Sequence, residues 1–469
     1  MNANLDQIDL PEIFRKGVIC DLHAHSSYAG GTGSLDLTTA VKNMPKKGVQ
    51  IIGTGDCLYQ PWLKILKEKL HDPDENGTFE LKEAEQEKDL ETKFILQTEI
   101  AITAPVGVAR KNVHCVFLWP NFNAVDEAIK LLEKFGVKNS MGRPFLTNKN
   151  REETSNRITK LLEIDPLVEF FPAHILVPLG IYGPKPAITF MDDFFGEVAS
   201  RIHAFETGLS ADPSICTLIP ELDKLTLISN SDAHSAALNR LGRELTSFDL
   251  KKVSYEELID AIRNNRVCYT AEFHPSEGRY FLTGHRGGIR GHKEDEFCVF
   301  SPDRAPKNMV CPICGLTMSP GVLQRAIELS KAQGSEREFG TFYGQKRNFY
   351  RMVPLVEILA HALGIKNSNT KKVTLFYEII IGAIGNECKL WTTKLEVLTE
   401  ILQQLVDEPI ARAIIEVRKG NFCFSPPGFD GTYGELIIGE TSNYQNIEII
   451  KGAKRASQQL TLDRFSTKD

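Results

Sequence analysis

From residue 17 to residue 290, short apolar runs alternate with longer polar or amphipathic stretches. The runs are Val18–Cys20, Val49–Ile52, Phe94–Leu96, Val113–Leu118, Val168–Phe171, Ile202–Phe205, Leu225–Ile228 and Val267–Tyr269. Between them, stretches such as Val125–Phe135 and Ser155–Leu162 carry helical spacing. Strand, helix, strand repeated in this way predicts an α/β fold with a parallel sheet closed by helices. Further on, Val322–Ala332, Leu355–Leu363 and Leu395–Leu405 read as helices, Val373–Ile381 as a strand, and Pro426–Ile438 as a turn followed by a strand.

The polar residues that follow these runs carry the chemistry. The first run delivers Asp21, His23 and His25, the second Asp56, and the third Glu99. The fourth contains His114, the fifth leads to His174, the sixth to Glu206, and the seventh to Asp232 and His234. Side chains two apart in a strand point to one side, so His23 pairs with His25 and Asp232 with His234. Ligands converging from successive strand ends fit the mouth of an α/β barrel. Imidazole and carboxylate together suit zinc, manganese or iron. A lone histidine at a strand end is more often a core or surface residue. The chain has only 11 histidines, though, and five stand at such ends.

At 469 residues the chain fits two or three domains. Hydrophobic residues make up 42% and charged residues 25%, ordinary for a globular protein. No apolar run is long enough to cross a membrane, and the first residues do not read as a secretory signal. Apart from Cys311 and Cys314 the ten cysteines are scattered, which points to a reducing, cytoplasmic setting. The net charge of −6 means that any nucleic acid must be held by local basic patches. No internal repeat and no phosphate-cradling glycine loop is present.

Two further groups stand out. Cys311-Pro312-Ile313-Cys314-Gly315 has the form of a zinc knuckle, with Cys298 upstream and His285 or His292 as the remaining ligand. Redox-active or unliganded thiols are the alternatives, but no βαβ pattern surrounds the pair. Between Glu338 and Arg351, aromatics interleave with Lys346, Arg347 and Arg351, which suits stacking on bases and contact with phosphate. A loop folded onto its neighbours explains the same pattern. Arg286, Arg290 and Lys293 form a second basic patch, and Arg240 and Arg243 are phosphate candidates near the seventh run.

The phrases Asp21-Leu22-His23-Ala24-His25-Ser26, Gly53-Thr54-Gly55-Asp56, Thr98-Glu99, Asn112-Val113-His114, Pro172-Ala173-His174 and Ser231-Asp232-Ala233-His234 resemble the polymerase-and-histidinol-phosphatase (PHP) metallophosphoesterases. More closely, the chain is similar to the endonuclease Q family, PHP enzymes that incise DNA on the 5′ side of deaminated bases. Gly142-Arg143-Pro144, Glu206-Thr207-Gly208-Leu209-Ser210, Gly242-Arg243-Glu244 and Pro426–Ile438 carry this closer likeness, which covers roughly residues 15 to 440. The resemblance implies a distorted (βα)7 barrel over residues 1–282, a zinc-binding module over 283–330 and an α+β C-terminal domain over 331–469 that contacts DNA. A three-metal PHP site has imidazoles where this chain has Cys57 and the run Ser27–Gly31, so two barrel metals (zinc, manganese or magnesium) are expected.

In that reading His23, His25, Glu99 and Asp232 hold one metal and Glu99, His114 and His174 the other. His234 is a ligand or supports one, and Asp56 and Glu206 stand behind the ligands. Asp232, His234 and Glu99 are the catalytic candidates. The family pattern also favours His285, with Cys298, Cys311 and Cys314, for one structural zinc. Leu58, Tyr59 and Trp62 are candidates for a base pocket. The implied activity is a metal-dependent DNA repair endonuclease acting at uracil, hypoxanthine, xanthine or abasic sites. A small-molecule PHP phosphatase or phosphodiesterase and an inactive DNA-binding barrel are the alternatives.

Overall fold

The computed structural model describes residues 9–29, 35–82, 92–289, 291–343 and 347–452. Gly30, Gly31, Arg290, Lys346 and the polar tail beyond Gly452 lie outside the described residues.

Seven strands form the ring that the site is built on. They are β1 (Val18–Asp21), β2 (Ile51–Gly53), β3 (Lys93–Val106), β4 (Ala109–Trp119), β5 (Glu169–Pro172), β6 (Ala204–Glu206) and β7 (Thr226–Ile228). Strands β1, β2 and β3 run parallel, as do β6 and β7. Past β5, the Ile175 N–H donates to the Glu206 carbonyl at 3.1 Å, linking β5 to β6. The ring closes beyond the strand ends, where Ala24 and Ala233 form a parallel bridge and the His25 N–H donates to the Ala233 carbonyl at 2.9 Å.

The sheet is mixed rather than parallel throughout. β3 and β4 form an antiparallel hairpin, β4 pairs antiparallel with β5, and β8 (Leu245–Phe248) pairs antiparallel with β1. The hairpin turns at Gly107, whose φ of +58° lies in the left-handed region that glycine adopts freely. β9 (Val267–Phe273) extends the sheet from β8, and the strand Phe349–Met352 joins β9 in parallel. Residues far beyond 282 thus complete the sheet of the first half.

Helices Leu37–Lys47, Phe122–Lys134, Arg151–Leu162 and Tyr255–Arg263 begin at Asp36, Asn121, Asn150 and Ser254, whose side chains accept the N–H three residues on. Their apolar faces, including Met44, Val125, Ile158 and Ile259, are buried.

Val373–Ile381, expected as a strand, lies inside the helix Lys371–Ile384. Its β-branched and aromatic residues suggested extension, but Thr370 caps the N-terminus and the buried positions Val373, Tyr377, Ile380 and Ile381 follow helical spacing. The strands Thr283–His285, Phe297–Phe300 and Glu448–Lys451 form a separate three-stranded sheet beside the cysteine pair. No described helix is long and apolar enough to cross a membrane.

Candidate metal centre

The hairpin explains the centre of the site. Register pairs Glu99 with Val116 and Ala101 with His114. Opposed residues share a face, and so do residues two apart along a strand, so Glu99 and His114 are diagonal neighbours on the inner face. The small Ala101 leaves the imidazole room, and His114 Nδ1 comes within 2.7 Å of Glu99 Oε1. His174, just past β5, brings Nε2 to 3.3 Å from the same oxygen.

Opposite stand His23, His25 and Asp232. His25 Nε2 is 3.2 Å from Asp232 Oδ1, His23 Nε2 is 3.6 Å from it, and the two Nε2 atoms are 3.3 Å apart. Glu99 spans both trios, with Oε2 at 3.6 Å from His25 and Oε1 at 3.8 Å from His23. The sets His23–His25–Asp232 and Glu99–His114–His174 each gather ligand atoms within 4.8 Å.

Two buried carboxylates stand behind the imidazoles. Glu206 Oε1 is 3.0 Å from His23 Nδ1, and Glu206 also accepts from Asn230 Nδ2 at 2.8 Å and from the His174 N–H at 2.8 Å. Asp56 faces His25 Nδ1 at 3.2 Å and accepts from the Ser26 N–H at 2.7 Å. A carboxylate on one ring nitrogen fixes the tautomer and presents the other nitrogen as a ligand.

Asp56, His174 and Asp232 have φ of +48°, +30° and +45°. Such conformations cost on the order of 1–3 kcal/mol each for residues other than glycine. They aim these side chains from the ends of strands rather than along them.

Charge is concentrated here. Burial opposes ionisation of Glu99, yet His114, His174 and His25 hold its carboxyl well below the usual range. Asp232 is likewise held low, against burial, by His23, His25 and His234. Burial works against a charged His23, but Glu206, Asp232 and Glu99 push it up to about 9. His114 moves the other way, lowered by burial and by His174 and Arg143.

The donor set fits divalent cations. Both oxygens of Glu99, Oδ1 of Asp232 and Nδ1 of His174 are buried without a hydrogen-bond partner. The ring nitrogens crowd Glu99 at short range but not in hydrogen-bond geometry, as ligands aimed at shared cations would. Glu99, His114, His174, His25, His23 and Asp232 are the residues that can hold such ions.

His234 stands outside both trios. Its Nδ1 turns back to the Asp232 carbonyl at 3.0 Å, and its ring lies 4.3 Å from that of His25 at the cavity wall. Cys57 is fully buried, 3.1 Å from Thr98 Oγ1, and burial pushes its thiol up.

A cavity of about 550 Å³ opens over the trios, lined by Arg143, Arg240, Arg243, Arg279, Tyr280 and Tyr433 as well as Glu99, His114, His174, Asp232 and His234. Arg143 Nη1 is 3.3 Å from Glu99 Oε2 and 3.4 Å from His114 Nε2. Arg143, Arg279 and Tyr433 were not among the expected site residues. Their only signal in the sequence was that Arg143 and Tyr433 fall within phrases of the family likeness.

The other expected DNA contacts divide. Arg286 is exposed, as is Lys293. Arg347 and Arg351 are not free for phosphate, which corrects the expectation. Arg347 donates to the Leu222 and Leu225 carbonyls at 2.8 and 3.1 Å over the ring of Phe205, and Arg351 is buried against Asp212 at 2.5 Å. Leu58 and Trp62 are buried too, with Trp62 Nε1 donating to the Gly55 carbonyl at 2.8 Å, so neither lines an open base pocket.

Near the knuckle the gathered quartet is His285, His292, Cys311 and Cys314. Cys314 Sγ is 3.2 Å from His285 Nδ1, and Cys311 Sγ is 3.2 Å from His292 Nε2. His292 Nδ1 faces the Glu296 carbonyl at 3.0 Å, which fixes Nε2 as the lone-pair nitrogen. Cys298, expected in the set, stands beside it instead. Its Sγ is 3.6 Å from Cys311 Sγ and 3.7 Å from the Met318 thioether, and His292 takes the fourth place. Burial opposes it, but backbone N–H groups of Cys314 and Ile313, with His285 and His292, hold the Cys311 thiol down at about 6. Two thiols and two imidazoles suit a closed tetrahedral zinc site.

No protein-family profile matches the chain. It is 31% identical over 267 residues to the uncharacterized protein MJ0043 of Methanocaldococcus jannaschii, a match covering 55% of this chain and 30% of that protein. The chain thus spans about a third of the length of this curated relative. Its structure is similar to that of the lesion-specific endonuclease PfuEndoQ from Pyrococcus furiosus, with a TM-score of 0.71 and 28% identity, covering 90% of this chain and 96% of that one. It is also similar to an endonuclease Q bound to a 27-mer duplex with an abasic lesion at the active site, with a TM-score of 0.73 and 27% identity over 92% and 99% of the two chains. The likeness extends well past the barrel, through the cysteine module and the C-terminal segments, so over nearly its whole length the chain is similar in structure to endonuclease Q.

Proposed function

We propose that this protein is a metal-dependent DNA repair endonuclease that hydrolyses the phosphodiester on the 5′ side of a damaged nucleotide. Deaminated bases (uracil, hypoxanthine, xanthine) and abasic sites are the substrates of this reading. The observation that carries it is the pair of trios, with Glu99 of one reaching toward His23 and His25 of the other, beneath an arginine-lined cavity.

Divalent cations held by His23, His25, Glu99 and Asp232 and by Glu99, His114 and His174 supply Lewis acidity to water and to phosphate oxygens. The chain's own residues do the rest. Glu206 and Asp56 keep His23 and His25 in one orientation. Arg143, Arg240 and Arg243 offer planar donors to the charge on non-bridging oxygens. A damaged base that pairs poorly is cheaper to unstack than a normal one, which favours lesions over intact duplex. The quartet His285, His292, Cys311 and Cys314 holds one zinc that fixes the module's fold.

The experiment is incubation with manganese, magnesium or zinc and labelled duplex carrying a single uracil, hypoxanthine or abasic site. A nick 5′ to the lesion, absent from undamaged duplex, is the expected product. Fast phosphomonoester hydrolysis with no nick at any of the three lesions would overturn the reading in favour of a small-molecule phosphatase.

A further inference from the structure

Tyr433 enters the barrel cavity from a segment 190 residues beyond Arg243. That segment is fastened to the wall of the cavity: the Gly434 N–H donates to the Glu277 carbonyl at 2.8 Å, and the Gly431 N–H to the Arg279 carbonyl at 2.9 Å. The Tyr433 phenol oxygen accepts from Arg240 Nη1 at 2.8 Å and from Arg243 Nη1 at 3.4 Å. The Arg240 and Arg279 guanidiniums lie 4.9 and 5.6 Å from the ring centroid. Arg243 also donates through Nε to the Ser231 carbonyl at 3.0 Å, beside Asp232. One side chain therefore joins the phenol to the loop carrying a ligand of the first trio.

A phenol has two acceptor positions and one hydrogen, and a guanidinium only donates. Arg240 and Arg243 thus occupy the oxygen's lone pairs and leave its hydrogen directed elsewhere. Among the described residues no acceptor for that hydrogen is found. The same guanidiniums, working against burial, lower the phenol's pKa and stabilise the phenolate it would become.

We infer that Tyr433 is the proton donor to the sugar oxygen that leaves when the phosphodiester is cut. The inference rests on the endonuclease reading above. Water's oxygen forms the new bond to phosphorus, and its lost proton passes to solvent. The phosphorus–sugar oxygen bond breaks with its electron pair on the oxygen, which takes the Tyr433 proton and departs as an alcohol. Solvent then reprotonates the phenolate held by Arg240 and Arg243. The barrel alone is accordingly an incomplete active site.

The test compares Tyr433→Phe with wild type on two kinds of lesion duplex. One has ordinary linkages, and the other has sulphur in place of the bridging 3′ or 5′ oxygen at the cut. A thiolate leaves without a proton, so a missing acid matters only for oxygen. Single-turnover cleavage of the ordinary linkage should slow by about 10²-fold or more in the variant. The deficit should shrink to a few-fold on the linkage with sulphur at the leaving position. Equal slowing on both linkages, with DNA affinity unchanged or weakened, would overturn the proton-donor role while leaving the endonuclease reading intact. Failure of the wild type to nick either duplex would overturn that reading, and this inference with it.

Discussion

His23 Nδ1 lies 3.0 Å from Glu206 Oε1, deep under the metal centre. A carboxylate in that position accepts, so His23 keeps a hydrogen on Nδ1, and Nε2, which faces Glu99 and Asp232, is the nitrogen that gives up its proton to a bound cation. Replacing Glu206 with Gln leaves the volume unchanged but substitutes a weaker acceptor. Metal affinity at the first trio should fall by about 10- to 100-fold, read by calorimetric titration with Mn²⁺. Unchanged affinity would show that packing alone orients the ring.

Asp232→Asn should abolish turnover while the far-ultraviolet circular dichroism and the melting transition stay close to wild type. The carboxylate's Oδ1 is buried without a hydrogen-bond partner, so its charge serves the cation rather than the fold. Wild-type rates at unchanged metal content would remove Asp232 from the centre.

Elemental analysis of intact protein should find about three metals per chain, two in the barrel and one zinc in the quartet. Cys311→Ser and His292→Ala should each release that zinc, whereas Cys298→Ser should retain it, since Cys298 stands beside the quartet. Loss of zinc from the Cys298 variant, or its retention without His292, would restore the ligand set expected from sequence.

Stability should fall with rising pH on account of Glu272. Burial pushes its carboxyl up to about 8, although Thr270 and Ser229 donate to it. The folded chain therefore keeps a proton that the unfolded chain loses near pH ~4.3. Between those values the unfolded state binds fewer protons, so the unfolding free energy declines as pH rises and levels off above about 8. Glu272→Gln should flatten that decline in urea melts between pH 5 and 8. An identical pH slope in the variant would place the titrating group elsewhere.

Much of the centre was legible because its residues are fixed by strand alternation. His23 with His25, and Glu99 in a run of apolar neighbours, can be placed on a face by counting along the chain. The elements that escaped depend on contacts distant in sequence. Arg347 and Arg351 read as free cations, and only the fold brings the Leu222 carbonyl and Asp212 to them. His292 takes the place expected for Cys298 because the fold brings its ring to Cys311, a contact that no spacing rule records. Val373–Ile381 misled because local β propensity yields to a helical burial pattern set by neighbouring helices. Tyr433 carried no local signal of chemistry at all, since its role arises from the arginines around it.

The strand Glu448–Lys451 hydrogen-bonds along Phe297–Phe300, the strand that carries Cys298. Joining segments so far apart closes a long loop, and loop closure is paid before its contacts give any return. During synthesis the barrel's seven strands emerge well before the third strand of this small sheet. The small sheet beside the cysteine pair consequently completes last, and Phe297–Phe300 waits with an open edge until the chain's far end arrives. A ribosome-bound intermediate halted before residue 448 would hold a complete barrel next to an unfinished sheet, and such a species is the one a chaperone or protease would meet.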